Sequence, residues 1–205
     1  MAKRIIANEH TLEQPNAAKV EKGIEQVLDG LLFDWKKDPN MQETPKRVAK
    51  MYTQELFKGC YTQRPKFTTF PNTKNVDEMV LVSNIRIQST CSHHLMPFQG
   101  YCHIAYLPSP EGRICGLSKL ARVAEWYARR PQIQEELTNQ IAEFLNKELD
   151  PLGVMVVIKA QHGCMTNRGV MQPNSWAVTS KVTGSFKTKP EARAEFFSLI
   201  GGTNA

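Results

Sequence analysis

Beyond residue 16 the apolar positions fall at helical spacing. Val20, Ile24, Val27, Leu28 and Leu31 predict an amphipathic helix that stops before Lys36-Lys37-Asp38-Pro39. Residues 1–16 mix polar side chains without a period and are expected to form a loose arm. Thr44-Pro45 reads as N-cap and first-turn proline of a second helix, with Val48, Met51, Tyr52 and Leu56 inward and Gly59 as its stop. The period then shortens to two. Met79, Leu81, Ile85 and Ile87 predict one strand, and Phe98, Cys102, Ile104 and Tyr106, beyond Gly100, predict another. Leu117, Leu120, Ala121, Ala124, Tyr127 and Ala128 return to helical spacing until Pro131. Ile133, Leu137, Ile141, Phe144 and Leu145 make a further helix that ends near Asp150-Pro151. Residues 154–160 are apolar and β-branched enough for a buried strand, and Trp176, Val178, Ser180 and Val182 alternate in a fourth. A last helix after Pro190 carries Phe196, Leu199 and Ile200.

Paired strands separated by helices imply an α+β domain: an antiparallel sheet with helices on one face. The expected division is a helical N-terminal region at 1–70 and a catalytic domain at 71–205. The 205 residues suit one domain with an appendage, and no repeat or low-complexity tract appears. The longest apolar run, 154–158, is far short of the ~20 residues that span a bilayer. The basic start lacks an apolar stretch long enough for an export signal, so a cytoplasmic location is expected. Five cysteines, an odd number, then read as reduced thiols rather than a disulfide framework. The net charge of +6 permits an anionic partner without choosing between nucleic acid and a phosphorylated small molecule.

Three clusters carry chemistry. Cys91-Ser92-His93-His94 ends the first strand, and Cys91 with His94 has a C-x-x-H spacing that one metal ion can bridge. His162-Gly163-Cys164 ends the strand at 154–160, and in extended chain His162 and Cys164 project to the same side. Two strand ends that meet can supply sulfur, nitrogen and sulfur, leaving the fourth tetrahedral position of zinc open, as in a catalytic site. Neighbours in extended chain face opposite ways, so either His93 or His94 could be the ligand. Cys60, Cys102 and Cys115 read as buried thiols without a role, and His103 as structural or surface. The third cluster is Gly116-Leu117-Ser118-Lys119-Leu120-Ala121-Arg122. Ser118, Lys119 and Arg122 share one face at a helix N-terminus, which favours phosphate. Arg47, in the first turn of the Thr44-Pro45 helix, and Arg168, four residues after Cys164, are further cations. Each of these charges, taken singly, is equally a solvated surface group, and no G-x-x-x-x-G-K-[ST] loop is present.

Taken in order, 89–98 (Ser-Thr-Cys-Ser-His-His-Leu-Met-Pro-Phe), 116–122, Arg130-Pro131-Gln132-Ile133-Gln134-Glu135 and 162–169 (His-Gly-Cys-Met-Thr-Asn-Arg-Gly) resemble the GTP cyclohydrolase I family. The helix at 44–52 resembles that family's N-terminal region, so the likeness runs from about residue 20 to 200. It implies the tunnelling fold, in which subunits assemble into β-barrels, and a homodecamer of two pentamers with sites between subunits. It implies a zinc cofactor on Cys91, His94 and Cys164, with His93 and His162 as acid–base histidines and Ser118 near the ribose. Gln134 and Glu135 would recognise the guanine edge, and Arg47, Lys119, Arg122 and Arg168 the triphosphate. Two positions depart from the pattern: Ser92 stands where an acidic residue is usual, and Lys181 where a small hydroxyl residue is expected.

The implied reaction converts GTP and water to 7,8-dihydroneopterin triphosphate and formate. Zinc-bound water would serve hydration and deformylation, and His162 would protonate N7 of the guanine. A nitrile reductase of the same fold, acting on a deazaguanine with NADPH, would not need two metal-ligand clusters or four phosphate-facing cations. A zinc-containing nucleic-acid module would want a basic tract or stacking aromatics, and aromatic content is only 8%. A non-catalytic GTP-binding paralogue would have lost ligands or histidines, and all are present. GTP as substrate, with no nucleic-acid or membrane partner, is therefore the expectation.

Overall fold

The computed structural model describes residues 12–201; the greater part of the expected N-terminal arm lies outside them. The chain forms two compact units, meeting between Gln63 and Arg64. This break precedes the one expected after residue 70 because the connecting segment is tied to the second unit. Arg64 pairs with Glu148 at 3.3 Å and lies over the Phe144 ring, and Phe67 packs edge-on against the same ring.

In the N-terminal unit, Asn16 accepts from the Lys19 N–H at 2.9 Å and caps α1 (Ala17–Gly30). Leu28 turns inward, and the buried Trp35 donates from Nε1 to Asp29 at 2.8 Å. The second helix, α2 (Thr44–Lys50), carries Pro45 in its first turn, but Glu43 occupies the cap position and makes no side-chain capping bond. It widens into a π-helical turn, Met51–Leu56, where the buried Thr53 hydroxyl donates back to the Ala49 carbonyl at 2.8 Å. Gly59 does not end this helix; it lies inside the next short one, α3 (Lys58–Tyr61).

The second unit contains, in chain order, β1 (Thr69–Pro71), β2 (Val80–Cys91), β3 (Pro97–Leu107), β4 (Arg113–Cys115), α4 (Leu117–Ala128), β5 (Pro131–Gln132) and α5 (Gln134–Leu149). Then follow β6 (Gly153–His162), α6 (Gly163–Thr166), β7 (Ala177–Val182), α7 (Ser185–Thr188) and α8 (Pro190–Gly201). β1 and β4 form a small ladder. The main sheet has the order β5-β2-β3-β6-β7, antiparallel except for the short β5, which runs parallel to the end of β2. The α+β class and antiparallel sheet are as expected.

One face of the sheet presents Ile87, Phe98, Cys102, Ile104, Val156 and Ile158 to Leu120, Val123, Leu137, Ile141 and Leu145 of α4 and α5. Helices are not confined to that face. Ala105, Met155 and Val157 point the other way and are covered by Phe186 of α7 and by Phe196 and Ile200 of α8. A β-bulge explains part of this arrangement. Val82 faces Ile104 while Ile85 faces Cys102, so β2 carries one extra residue, with Asn84 at φ 55°. The bulge reverses the side-chain alternation: Met79 and Leu81 pack with the C-terminal helices, Ile85 and Ile87 with α4 and α5. The four residues that read as one strand face therefore split between two. No helix among the described residues is long and apolar enough to cross a membrane.

Candidate metal and acid–base site

The site forms where β2, β5 and β6 end and β3 begins. A tight turn joins β2 to β3: the Cys91 N–H donates to the Met96 carbonyl at 2.8 Å and the Leu95 N–H to the Cys91 carbonyl at 2.9 Å, with Leu95 at φ 52°. The Ser92 N–H donates to Gln132 of β5 at 3.2 Å, which pins the turn to the sheet. His162 ends β6 opposite Phe98, and the two rings stack at 4.5 Å with 7° between their planes. The chain does not continue extended past His162; it winds into the single turn of α6. That turn brings the Cys164 sulfur to 3.9 Å from that of Cys91. Gly163 permits it, because a Cβ there would lie 2.9 Å from the Pro97 carbonyl oxygen.

Cys91, His162 and Cys164 form one group whose donor atoms lie within 4.8 Å of one another. Burial lowers the His162 pKa from its ordinary value, while the nearby Glu135 carboxylate acts in the opposite direction. The Cys164 thiol is raised, first by burial and then by the adjacent Cys91, with Arg168 opposing. Two sulfurs and an imidazole this close are a donor set that a soft cation can bridge.

His162 has a second partner. Its Nε2 lies 2.8 Å from Gln134 Oε1, and the Gln134 amide nitrogen donates to the Ile158 carbonyl at 3.0 Å, the Ala177 carbonyl at 3.1 Å and the Thr179 hydroxyl at 3.1 Å. Thr179 also meets the Thr138 hydroxyl at 2.6 Å, which ties α5 to β7. Gln134, expected at the guanine edge, is 2% exposed, and its side chain makes these contacts inside the protein. Glu135, next along α5, is exposed. The readable sign of this network is a polar residue on an apolar helix face: Gln134 shares the inward side of α5 with Leu137, Thr138 and Ile141.

The remaining candidates lie outside that group. His94 lies outside the thiol group; it is exposed, and its Nε2 accepts from the Arg168 guanidinium at 3.2 Å. Of the expected set of Cys91, His94 and Cys164, the two thiols come together while His94 contacts Arg168. His93 is closer, with Nδ1 3.9 Å from the Cys91 sulfur. Ser118 and Arg122 are exposed on the first turns of α4, and Lys119 Nζ donates to the Lys66 carbonyl at 3.0 Å. Arg47 belongs to the N-terminal unit, where it donates to the Asn40 carbonyl at 2.8 Å. Ser92 is exposed, and Lys181 sits on β7 opposite Val156.

An α+β sheet whose strand ends gather two thiols and an imidazole defines a protein with a donor group that could hold a metal ion. The GTP cyclohydrolase I family model matches residues 20–201. The chain is 46% identical to the GTP cyclohydrolase 1 of Thermobifida fusca over 192 residues, 93% of this chain and 90% of that one. It is also 46% identical to those of Mycolicibacterium vanbaalenii and Carboxydothermus hydrogenoformans, in each case across 89% of this chain, and across 90% and 94% of theirs. A crystal structure of an archaeosine synthase QueF-Like protein in the apo form is similar at a TM-score of 0.41 and 17% identity, covering 52% of this chain and 93% of that one. The chain belongs to the GTP cyclohydrolase I family.

Proposed function

We infer that the chain is a zinc-dependent GTP cyclohydrolase I, converting GTP and water to 7,8-dihydroneopterin triphosphate and formate. The observation that carries the metal and the acid–base chemistry is the Cys91–Cys164 thiol pair beside His162, in a chain of this family. Thiolates at two corners of a tetrahedron, each ~2.3 Å from zinc, stand ~3.8 Å apart. The 3.9 Å between the two sulfurs fits that edge. Sulfur with imidazole suits zinc and disfavours magnesium or calcium, which take oxygen ligands. Cys91, Cys164 and His94 would hold the metal in this reading. Bound zinc supplies a water acidified toward pKa ~7, the nucleophile that hydration of the guanine C8 requires at neutral pH.

The chain's own side chains do the rest. His162, fixed in plane by Phe98, carries the proton that N7 gains as C8 is hydrated. The exposed Glu135 carboxylate accepts from the guanine N1–H and exocyclic amine together, a pair that adenine does not present. Lys119, Arg122, Arg168 and Arg47 bind the triphosphate, with Ser118 near the ribose. His93 and Ser118 move protons during the ribose rearrangement that recloses the ring. The enzyme acts as a homodecamer with sites between subunits, and its free thiols suit the cytoplasm.

Incubating the zinc-loaded protein with GTP tests this reading. Formate and an oxidisable, fluorescent pterin should appear in equal amounts. Neither product appearing from an assembled, zinc-loaded protein would overturn it.

A further inference from the structure

The Gln134–His162 contact permits a stricter conclusion than proximity. One end of the Gln134 amide lies 3.0 and 3.1 Å from the carbonyl oxygens of Ile158 and Ala177. Backbone carbonyls only accept, so that end is the nitrogen whichever way the amide is first drawn. The other end is therefore Oε1, which has no hydrogen to give, and it lies 2.8 Å from His162 Nε2. For that contact to be a hydrogen bond, the imidazole must supply the hydrogen from Nε2. A neutral imidazole carries one N–H, so its lone pair is then on Nδ1. Phe98 stacks on the ring nearly parallel and holds its plane, and turning the ring over within that plane would set the carbon Cε1 against Oε1 and lose the hydrogen bond. The amide is held in turn by β6 and β7 through Ile158, Ala177 and Thr179, so the strand ends themselves set the orientation.

We propose that Gln134 is a positioning residue: it holds His162 in the neutral tautomer with hydrogen on Nε2, so that Nδ1 is the nitrogen that exchanges the proton of the reaction. The proposal rests on the GTP cyclohydrolase reading of the same site. It departs from a role for Gln134 in reading the guanine edge, because every polar atom of the side chain is already engaged within the protein. The cost of losing such a partner falls on the chemical step and not on binding, as when an imidazole's tautomer is left unfixed in other acid–base sites.

The test uses the zinc-loaded full chain, labelled with ¹⁵N-histidine and studied by solid-state NMR, with His162→Asn to assign the His162 signals. In the unsubstituted protein His162 should show a protonated Nε2 and an unprotonated Nδ1. A hydrogen on Nδ1 would overturn the proposal without recourse to any Gln134 variant. Gln134→Met, similar in volume but unable to accept or donate as the amide does, should show a mixture of tautomers. Its kcat should fall at least about tenfold, with KM for GTP changed by less than about twofold. A KM that rises while kcat holds, or an unchanged tautomer with unchanged kcat, would overturn it. Should Gln134→Met not assemble, the tautomer in the unsubstituted protein still decides. Failure of the cyclohydrolase reading is a separate result, since it appears as absent formate and pterin whatever the tautomer.

Discussion

Serine in place of Cys164 would exchange an ionisable, soft sulfur for a hydroxyl that stays protonated near neutral pH. Cys164→Ser should therefore lose zinc, and formate release should fall by about 10²-fold or more. His162→Ala should keep zinc and GTP binding while turnover falls by a similar factor, and His94→Ala should lose the metal. Atomic absorption and formate assays on the three variants assign the two histidines. A zinc-free His162→Ala beside a zinc-loaded His94→Ala would exchange their roles. Away from the site, His103 is buried on the α8 side of β3 and takes the Asn84 N–H on Nδ1 at 3.4 Å. Burial, helped by Lys159, holds its pKa below the ordinary 6.5. The unfolded chain then binds this proton more readily than the folded one, so stability is full above 6.5 and is lost as pH falls through the folded value. The melting temperature of the unsubstituted protein should drop more between about pH 7.5 and about pH 5.5 than that of His103→Gln, which keeps an acceptor without the titration. Equal slopes would remove His103 as a source of acid lability. At this scale the chemistry of the site was legible as residue types, namely two thiols and histidines at the right strand ends. Which imidazole faces the thiols was not legible, because it depends on the β2–β3 turn and on α6, neither of which has a periodic signature.

Gly100 shows how closely β3 and β6 approach. It pairs with Ala160, and a Cβ at this position would run into the Lys159 carbonyl oxygen and come within 2.7 Å of the Ala160 Cα. Both obstacles are backbone, so relief requires moving a strand. Gly100→Ala should cost about 1–3 kcal/mol, read as a lower denaturation midpoint. A midpoint equal to that of the unsubstituted protein would mean that β3 and β6 can separate freely. The elements of the second unit were well marked in the sequence wherever a long period ran uninterrupted. α4, α5 and β6 fall where Leu117–Ala128, Gln134–Leu149 and Gly153–His162 repeat apolar positions. What escaped was local geometry. The bulge at Asn84 puts Met79 and Leu81 on the opposite face from Ile85 and Ile87, although the residues read as one alternating run. The π-helical turn after Lys50 and the position of Gly59 inside α3 likewise depend on how the backbone is bonded, which residue spacing does not encode.

At the scale of the whole molecule, the main sheet is open at both sides. Among the described residues, β2 is paired on its outer side only at Thr90 and Cys91, and β7 has no outer neighbour. Long open edges invite pairing with another chain, and a stable protein covers, charges or closes them. Here the edge carries apolar side chains: Val178 of β7 is 61% exposed, and Trp176 just ahead of it is 43% exposed. Copies of the sheet joined edge to edge into a barrel would close both edges. The protein should therefore sediment as a large ring-based oligomer, a decamer in the proposed assembly, at micromolar concentration. Val178→Asp places a charge on the open edge and should shift the protein toward smaller species, with GTP turnover falling in proportion to the lost assembly. Sedimentation velocity run beside the formate assay checks both. A chain that sediments as a monomer and still turns over GTP would contradict the assembly and the placing of the sites between subunits.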